Sequence, residues 1–513
     1  MVKQRLAFLA AAVAVAGNSL AGGLLTNTNQ NVVFLRNPAR DAAIGIDGVY
    51  SNPAGVAFLD EGFHLSINLQ NVHQTRTILT GYPLFVNNVK NPGNSVHEFK
   101  GEADAPVVPS LQAAYNKGRW SLQFGFAITG GGGKCEFDGG LGSFEQVVSG
   151  VTSYASAITG MYDQLSRIPG MGDLAGHGMG SSYGYDSYMR GRQYYYGFTL
   201  GAAYKVTDRL SVYGGLRMLY GTSNYYGYVR NIQVEHTYNG SSEMVGASRH
   251  FASESAMLNQ HVGRLEAMAQ GDDPTLAAIA EQALPGVRQA AATTALLSAA
   301  TQDIELNCDQ TGWGVAPIIG VDYKWGKVNL AAKYEFKTRM RLKNKSANSL
   351  SAEGIAMLDK FADGRRVPED SPALLAVGAQ WEVIPQLRVM AGWHHYFDVD
   401  TEQYTKEMLG DTNEYLFGAE YDITDRIQVS AGGQRTKYGF NDAGMNDISY
   451  NVDSYSFGLG VGVTVAKNVK VNAAYFQTLY DDYDMTSGTA PAVTTNSFTR
   501  SNRVIGLGVD LKF

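Results

Sequence analysis

From Ile505 the chain alternates without a break to its last residue. Ile505, Leu507, Val509, Leu511 and Phe513 hold one parity, and Gly506, Gly508, Asp510 and Lys512 hold the other. Successive side chains of a strand point to opposite faces. The segment therefore predicts a strand with one apolar face and one small or charged face. A soluble sandwich strand can share this alternation but would rarely end the protein on an aromatic residue. A terminal strand of a bacterial outer-membrane barrel does both.

The pattern recurs upstream. Tyr455, Phe457, Leu459, Val461, Val463 and Val465 alternate with Ser454, Ser456, Gly458, Gly460, Gly462 and Thr464. Val328, Leu330, Ala332, Tyr334 and Phe336 form another such face, and Trp120, Leu122, Phe124, Phe126 and Ile128 a third. Fourteen segments of this kind are expected, near 63–78, 107–116, 119–129, 193–206, 210–223, 312–325, 327–339, 372–383, 387–398, 414–423, 426–437, 453–465, 469–480 and 502–513. Tight turns such as Thr207-Asp208, Thr424-Asp425 and Ala466-Lys467-Asn468 alternate with long connections, the largest near 130–192 and 224–311. Outer-membrane barrels pair short periplasmic turns with long extracellular loops, and an even strand count leaves both termini in the periplasm. The expected fold class is an all-β transmembrane antiparallel barrel, placed in the bacterial outer membrane.

Composition agrees. The mean hydropathy is −0.17, and beyond the N-terminus no run approaches the roughly 18 apolar residues of a membrane helix. A barrel hides its apolar surface in alternation. The 59 glycines leave lumen space, and the 30 tyrosines suit membrane boundaries. A formal net charge of −7 provides no basic surface, which argues against nucleic acid as a partner. Residues 1–21 read as a secretory signal: Lys3 and Arg5, an apolar core from Leu6 to Ala16, then Ser19-Leu20-Ala21 before cleavage at Gly22. The two cysteines, Cys135 and Cys308, permit one disulfide in an oxidising compartment, or remain two free thiols.

Two long connections carry helical spacing. Phe144, Val147, Val148, Val151, Tyr154, Ile158, Met161 and Leu165 mark 144–165. Asp273-Pro274 reads as an N-cap with proline at the first helical position, opening 273–299. These helices either pack on the barrel rim or gather apolar ligand. Residues 22–62, ahead of the barrel at 63–513, lack alternation and are rich in Asn, Gly and Ala. They form a periplasmic linker or a lumen plug.

Asn52-Pro53-Ala54 just before the first strand, followed by fourteen strands, resembles the FadL/TodX family of outer-membrane transporters of long-chain fatty acids and other hydrophobic compounds. Thr311-Gly312-Trp313-Gly314 through Tyr334, Asp370-Ser371-Pro372 and the last strand share the likeness. Asn37-Pro38-Ala39 repeats the letters too far upstream for the role to be carried to it. The resemblance implies an N-terminal hatch, capture of ligand on an extracellular apolar groove, a lumen pocket beside the hatch, and lateral exit through a bent third strand. Gly130-Gly131-Gly132-Gly133 is the candidate for that bend, or else a flexible loop entrance. The resemblance implies a hydrophobic small-molecule ligand and lipid contact. Phe513, which closes the apolar face of the final strand, is expected to be the residue read by the barrel-assembly machinery. The family's carboxylate-binding residues do not align here.

Parity alone turns Arg217, Lys333, Lys337, Arg339 and Arg388 toward the lumen, where they could meet a ligand. The membrane explains them as well, since a charge on the lipid face costs roughly 2–4 kcal/mol at mid-bilayer. His394 and His395 point to opposite faces and cannot share a metal. No catalytic signature stands out, and no enzyme activity, metal or cofactor is expected. Passive transport stands first. A structural or adhesive barrel, a polar-solute porin and a haem-type receptor are the alternatives.

Overall fold

The computed structural model describes residues 26–349, 359–447 and 450–513. The expected signal segment and its cleavage point at Gly22 lie outside the described residues. Among the described residues, fourteen strands form the wall: β1 Gly62–Gly81, β2 Val96–Lys117, β3 Trp120–Phe137, β4 His177–Lys205, β5 Leu210–Tyr238, β6 Ile304–Trp325, β7 Val328–Glu335, β8 Leu374–Ile384, β9 Leu387–Tyr396, β10 Leu409–Asp422, β11 Ile427–Phe440, β12 Ser454–Ala466, β13 Val469–Tyr480 and β14 Thr494–Lys512. Each pairs antiparallel with the next, and β14 pairs with β1 from His64↔Lys512 to Gly81↔Thr495. The pairing of β14 with β1 closes the sheet, so neither terminal strand is left as a free edge in lipid.

Side-chain parity behaves as the alternation requires. Leu122, Leu200, Leu216, Ile319, Leu459, Ile505 and Leu507 face outward and are exposed. Aromatic residues ring this band on both sides. Tyr115, Trp120, Tyr323, Trp325, Trp381, Tyr421 and Phe513 lie by the short turns, and Trp313, Phe417 and Tyr455 lie higher on their strands. An apolar surface of this extent is stable only against lipid.

Several strands run past their expected ends. β4 and β5 span 29 residues each. Above the membrane there is no lipid face to maintain, so the ladder continues where the alternation lapses. β7 errs the other way and stops at Glu335. Parity therefore does not extend to Lys337 or Arg339: Lys337 donates to the Asp400 carbonyl in an outer loop at 2.6 Å, and Arg339 is exposed.

The C-terminus completes the β14–β1 seam. Phe513 N–H donates to the Phe63 carbonyl at 2.8 Å, Phe63 N–H donates back at 3.0 Å, and the two rings lie 6.2 Å apart. Deleting Phe513 removes this clasp and an exposed aromatic of the lower girdle. The expected result is about a severalfold lower yield of heat-modifiable, folded barrel in the outer membrane, from the loss of two hydrogen bonds at about 1 kcal/mol each. Normal insertion of the truncated chain would remove that role.

Five helices matter below: α1 Val32–Arg36, α2 Gly142–Gly150, α3 Ala155–Leu165, α4 Ala247–Ala269 and α5 Pro274–Ala300. The Asp273 side chain caps α5 by accepting from the N–H groups of Thr275 and Leu276. α4 has no counterpart in the sequence expectation. Its buried side interleaves Phe251, Leu258 and Leu265 with Glu254, Ser255 and His261, which breaks the apolar period. Phe144, Val148, Val151, Ile158 and Leu165 bury into one core with Leu258, Val287 and Leu297. These positions pack the loops together, whereas Ile279 and Leu296 of α5 stay exposed.

Candidate functional site

The N-terminal segment ahead of β1 touches inward-facing side chains on all sides of the closed ring, so it lies inside it. Glycines make the space. A Cβ at Gly378, Gly392, Gly418, Gly432, Gly458 or Gly506 would run into Asp41, Asn37, Pro38, Leu35 or Val32. These glycines come from β8, β9, β10, β11, β12 and β14, a row of small positions spanning half the wall.

Hydrogen bonds fix the segment in place. Asn52 donates to the Asp322 carboxylate of β6 at 2.6 Å and to the Ala43 carbonyl at 3.2 Å, and its own oxygen accepts from Gly55 N–H. Asn329 of β7 donates to the same Asp322 oxygen and to the Ala42 carbonyl. The Pro53 carbonyl accepts from Gln123 of β3, and the Ala54 carbonyl from Ser211 of β5. Asn52-Pro53-Ala54 thus reaches three strands. Arg40 joins Asp47 at 2.8 Å to Glu420 of β10 at 2.7 Å. His394 bridges Asp41 and Glu414, 2.8 Å from each, while His395 faces away and meets Asn413. Both His394 nitrogens are engaged.

Asn37-Pro38-Ala39, set aside on sequence, is seated as firmly. Asn37 ends α1, its side-chain oxygen accepts from Ala39 N–H, and Pro38 abuts Gly432. Their distance from β1 in sequence does not keep them from the wall, because the segment folds back along it.

The expected lumen cations are lumen-facing and already partnered. Arg217 pairs with Glu335 and stacks over Tyr50 at 5.1 Å. Lys333 donates to the Tyr50 carbonyl at 2.7 Å, with its ammonium 3.9 Å from that ring. Arg388 holds Asp422 at 2.9 Å. The void that Lys333 borders, lined also by Asp41, Thr28 and His394, is about 10 Å³, room for about one water molecule. Nothing the size of a lipid passes there without movement of the segment.

The wall is interrupted beside the segment's first described residues. β2 and β3 pair from Lys117↔Trp120 to Ser110↔Ala127, and again from Asp104↔Lys134, but not between. Residues 105–109 and 128–133 exchange no ladder pairs. Pro106 and Pro109 have no N–H to offer. On its other side β3 bulges twice against β4, and Gly131 takes φ +68°, a conformation glycine adopts without strain. At about 3.3 Å per residue and a tilt near 40°, the breach begins roughly 20 Å above Trp120, in the outer part of the membrane. Asn27 occupies it from within: its N–H donates to the Thr129 carbonyl at 2.7 Å and its amide to Gly131 at 2.8 Å. Val72, Ala105, Val108 and Ile128 at this breach share one apolar cluster with Val32, Phe34 and Leu35 of α1.

Cys135 and Cys308 are both buried free thiols. They sit on β3 and β6, which do not pair, so the permitted disulfide is not formed.

A family model described as Gram-negative porin matches residues 285–441. No curated protein sequence matches the chain. Among solved structures, a FadL homologue from Pseudomonas aeruginosa superposes with a TM-score of 0.59 at 13% identity, over 95% of this chain and 99% of that one. The toluene transporter TodX of P. putida gives 0.47 at 14% identity, over 91% and 94%. The toluene transporter TbuX of Ralstonia pickettii gives 0.46 at 16%, over 93% and 98%. The chain is a fourteen-stranded outer-membrane β-barrel with the fold of that FadL homologue.

Proposed function

We propose that this protein carries hydrophobic small molecules, long-chain fatty acids or compounds of similar character, passively across the outer membrane. The N-terminal segment acts as a hatch, and the ligand leaves sideways through the β2–β3 breach. One observation carries the reading: an unpaired stretch of wall with apolar lips, closed from inside by Asn27 and backed by the apolar cluster of α1. A polar solute gains nothing from a lateral path into lipid. A hydrophobic one gains about 0.8 kcal/mol for each methylene it keeps out of water. The cycle needs only displacement of hatch contacts, with no nucleotide or covalent step. The FadL and toluene-transporter names of the similar structures agree with this class of ligand.

The porin-model match over 285–441 favours a second reading, diffusion of small polar solutes. The filled lumen opposes it. Uptake of labelled fatty acid and of a small sugar, compared in cells with and without the protein, separates the two. Transport predicts fatty-acid uptake above background with little sugar flux. Free passage of sugar and none of lipid would hand the function to the porin reading.

A further inference from the structure

Above the membrane, side chains from three distant elements converge. His177 opens β4, His236 lies diagonally across the ladder on β5, and Glu254 reaches over from α4. One ligand atom of each lies within 4.8 Å of the others. His250, one turn earlier on α4, adds a fourth group. Its ring centroid is 4.9 Å from that of His236, and its Nδ1 is 4.0 Å from Glu254 Oε1.

The polar groups of this cluster are unfinished. Glu254 is 7% exposed, and its Oε2 has no hydrogen-bond donor. The Nδ1 atoms of His177 and His236 are buried without partners. Among the described residues no lysine or arginine pairs with Glu254. Buried polar groups left this way are costly, and an ion is one of the things that satisfies them.

We propose that His177, His236 and Glu254 bind a divalent transition metal of the zinc class, with His250 or a water completing a four-coordinate site that fastens α4 to the outer ends of β4 and β5. Two or three imidazoles with one carboxylate suit zinc and its neighbours, whereas calcium and magnesium take oxygen donors. Metal–donor bonds of about 2.0–2.2 Å set tetrahedral ligands about 3.4 Å apart. The donors therefore have at most about 1.4 Å to close, within reach of side-chain rotation. No spacing motif announces the site, which is why the sequence expectation held no metal.

The test uses the full chain in detergent, stripped of metal by chelation and then freed of chelator. Titration with Zn²⁺ by calorimetry should show one equivalent bound, and Co²⁺ should give the visible bands of a four-coordinate ion. Mg²⁺ and Ca²⁺ should not compete. Bound Zn²⁺ should also slow proteolysis at the α4–α5 turn. Glu254→Gln and His236→Ala should each weaken binding by at least tenfold, with heat-modifiable mobility like the parent, because the wall in the membrane is untouched. His177→Ala serves if either variant fails to fold. Absence of Zn²⁺ and Co²⁺ binding overturns the proposal, as does binding that these substitutions leave unchanged.

Discussion

Valine at Gly133 is expected to cut hydrophobic-ligand uptake by about tenfold or more, because it fills the breach at small cost to the fold. A Cβ there meets only Ala105 of β2, at 4.0 Å, so the added methyl groups enter the space between the two strands. An obstruction costing about 1.4 kcal/mol in the exit step suffices for that factor. Gly131→Val is expected to act by a different route. A Cβ would strike the Gln193 backbone, and φ +68° is strained for a β-branched residue. The bulge must then relax toward a regular ladder that β2 can pair. Gly133→Val is the cleaner of the two because it needs no backbone change. Uptake of labelled fatty acid at matched outer-membrane abundance measures both, and parental uptake by both variants would remove the lateral exit.

Asn52→Ala is expected to lower the same uptake by about tenfold while leaving barrel abundance intact. The variant loses a hydrogen bond to a buried carboxylate, an interaction of about 1.5–3 kcal/mol, and leaves Asp322 with fewer donors. The wall itself does not depend on Asn52, so assembly should proceed. The hatch would sit loosely, and entry of small polar antibiotics should rise. Unchanged uptake and unchanged leak would show that the hatch does not depend on this anchor.

The wall was legible because lipid imposes a strict period of two. Leu507 outward and Gly506 inward follow from that requirement without knowledge of any neighbour. The outer ends of β4 and β5 answer to no such constraint, and their added length was invisible. α4 was missed for a related reason: its buried side carries Glu254 and His261 among the apolar residues. At the candidate site, Asn52-Pro53-Ala54 could be singled out by its letters, but its partners Asp322, Gln123 and Ser211 lie on three strands and no spacing predicts them. Parity turns Arg217, Lys333 and Arg388 inward. It could not show that Glu335, Tyr50 and Asp422 already occupy them. The run Gly130–Gly133 marked a weak point in β3, whereas the matching feature on β2, Pro106 and Pro109 opposite an unpaired stretch, gains its meaning only from the register.

The most direct test of the lateral pathway is photolabelling. A fatty acid with a photoreactive group on its chain, added to the protein in outer-membrane vesicles and irradiated, labels whatever lines its path. The account predicts adducts concentrated on residues 105–109 of β2, 128–133 of β3 and the α1 segment, lost when Gly133 becomes valine. Labels spread evenly over the outward leucines, with none on the breach or the hatch, would contradict it.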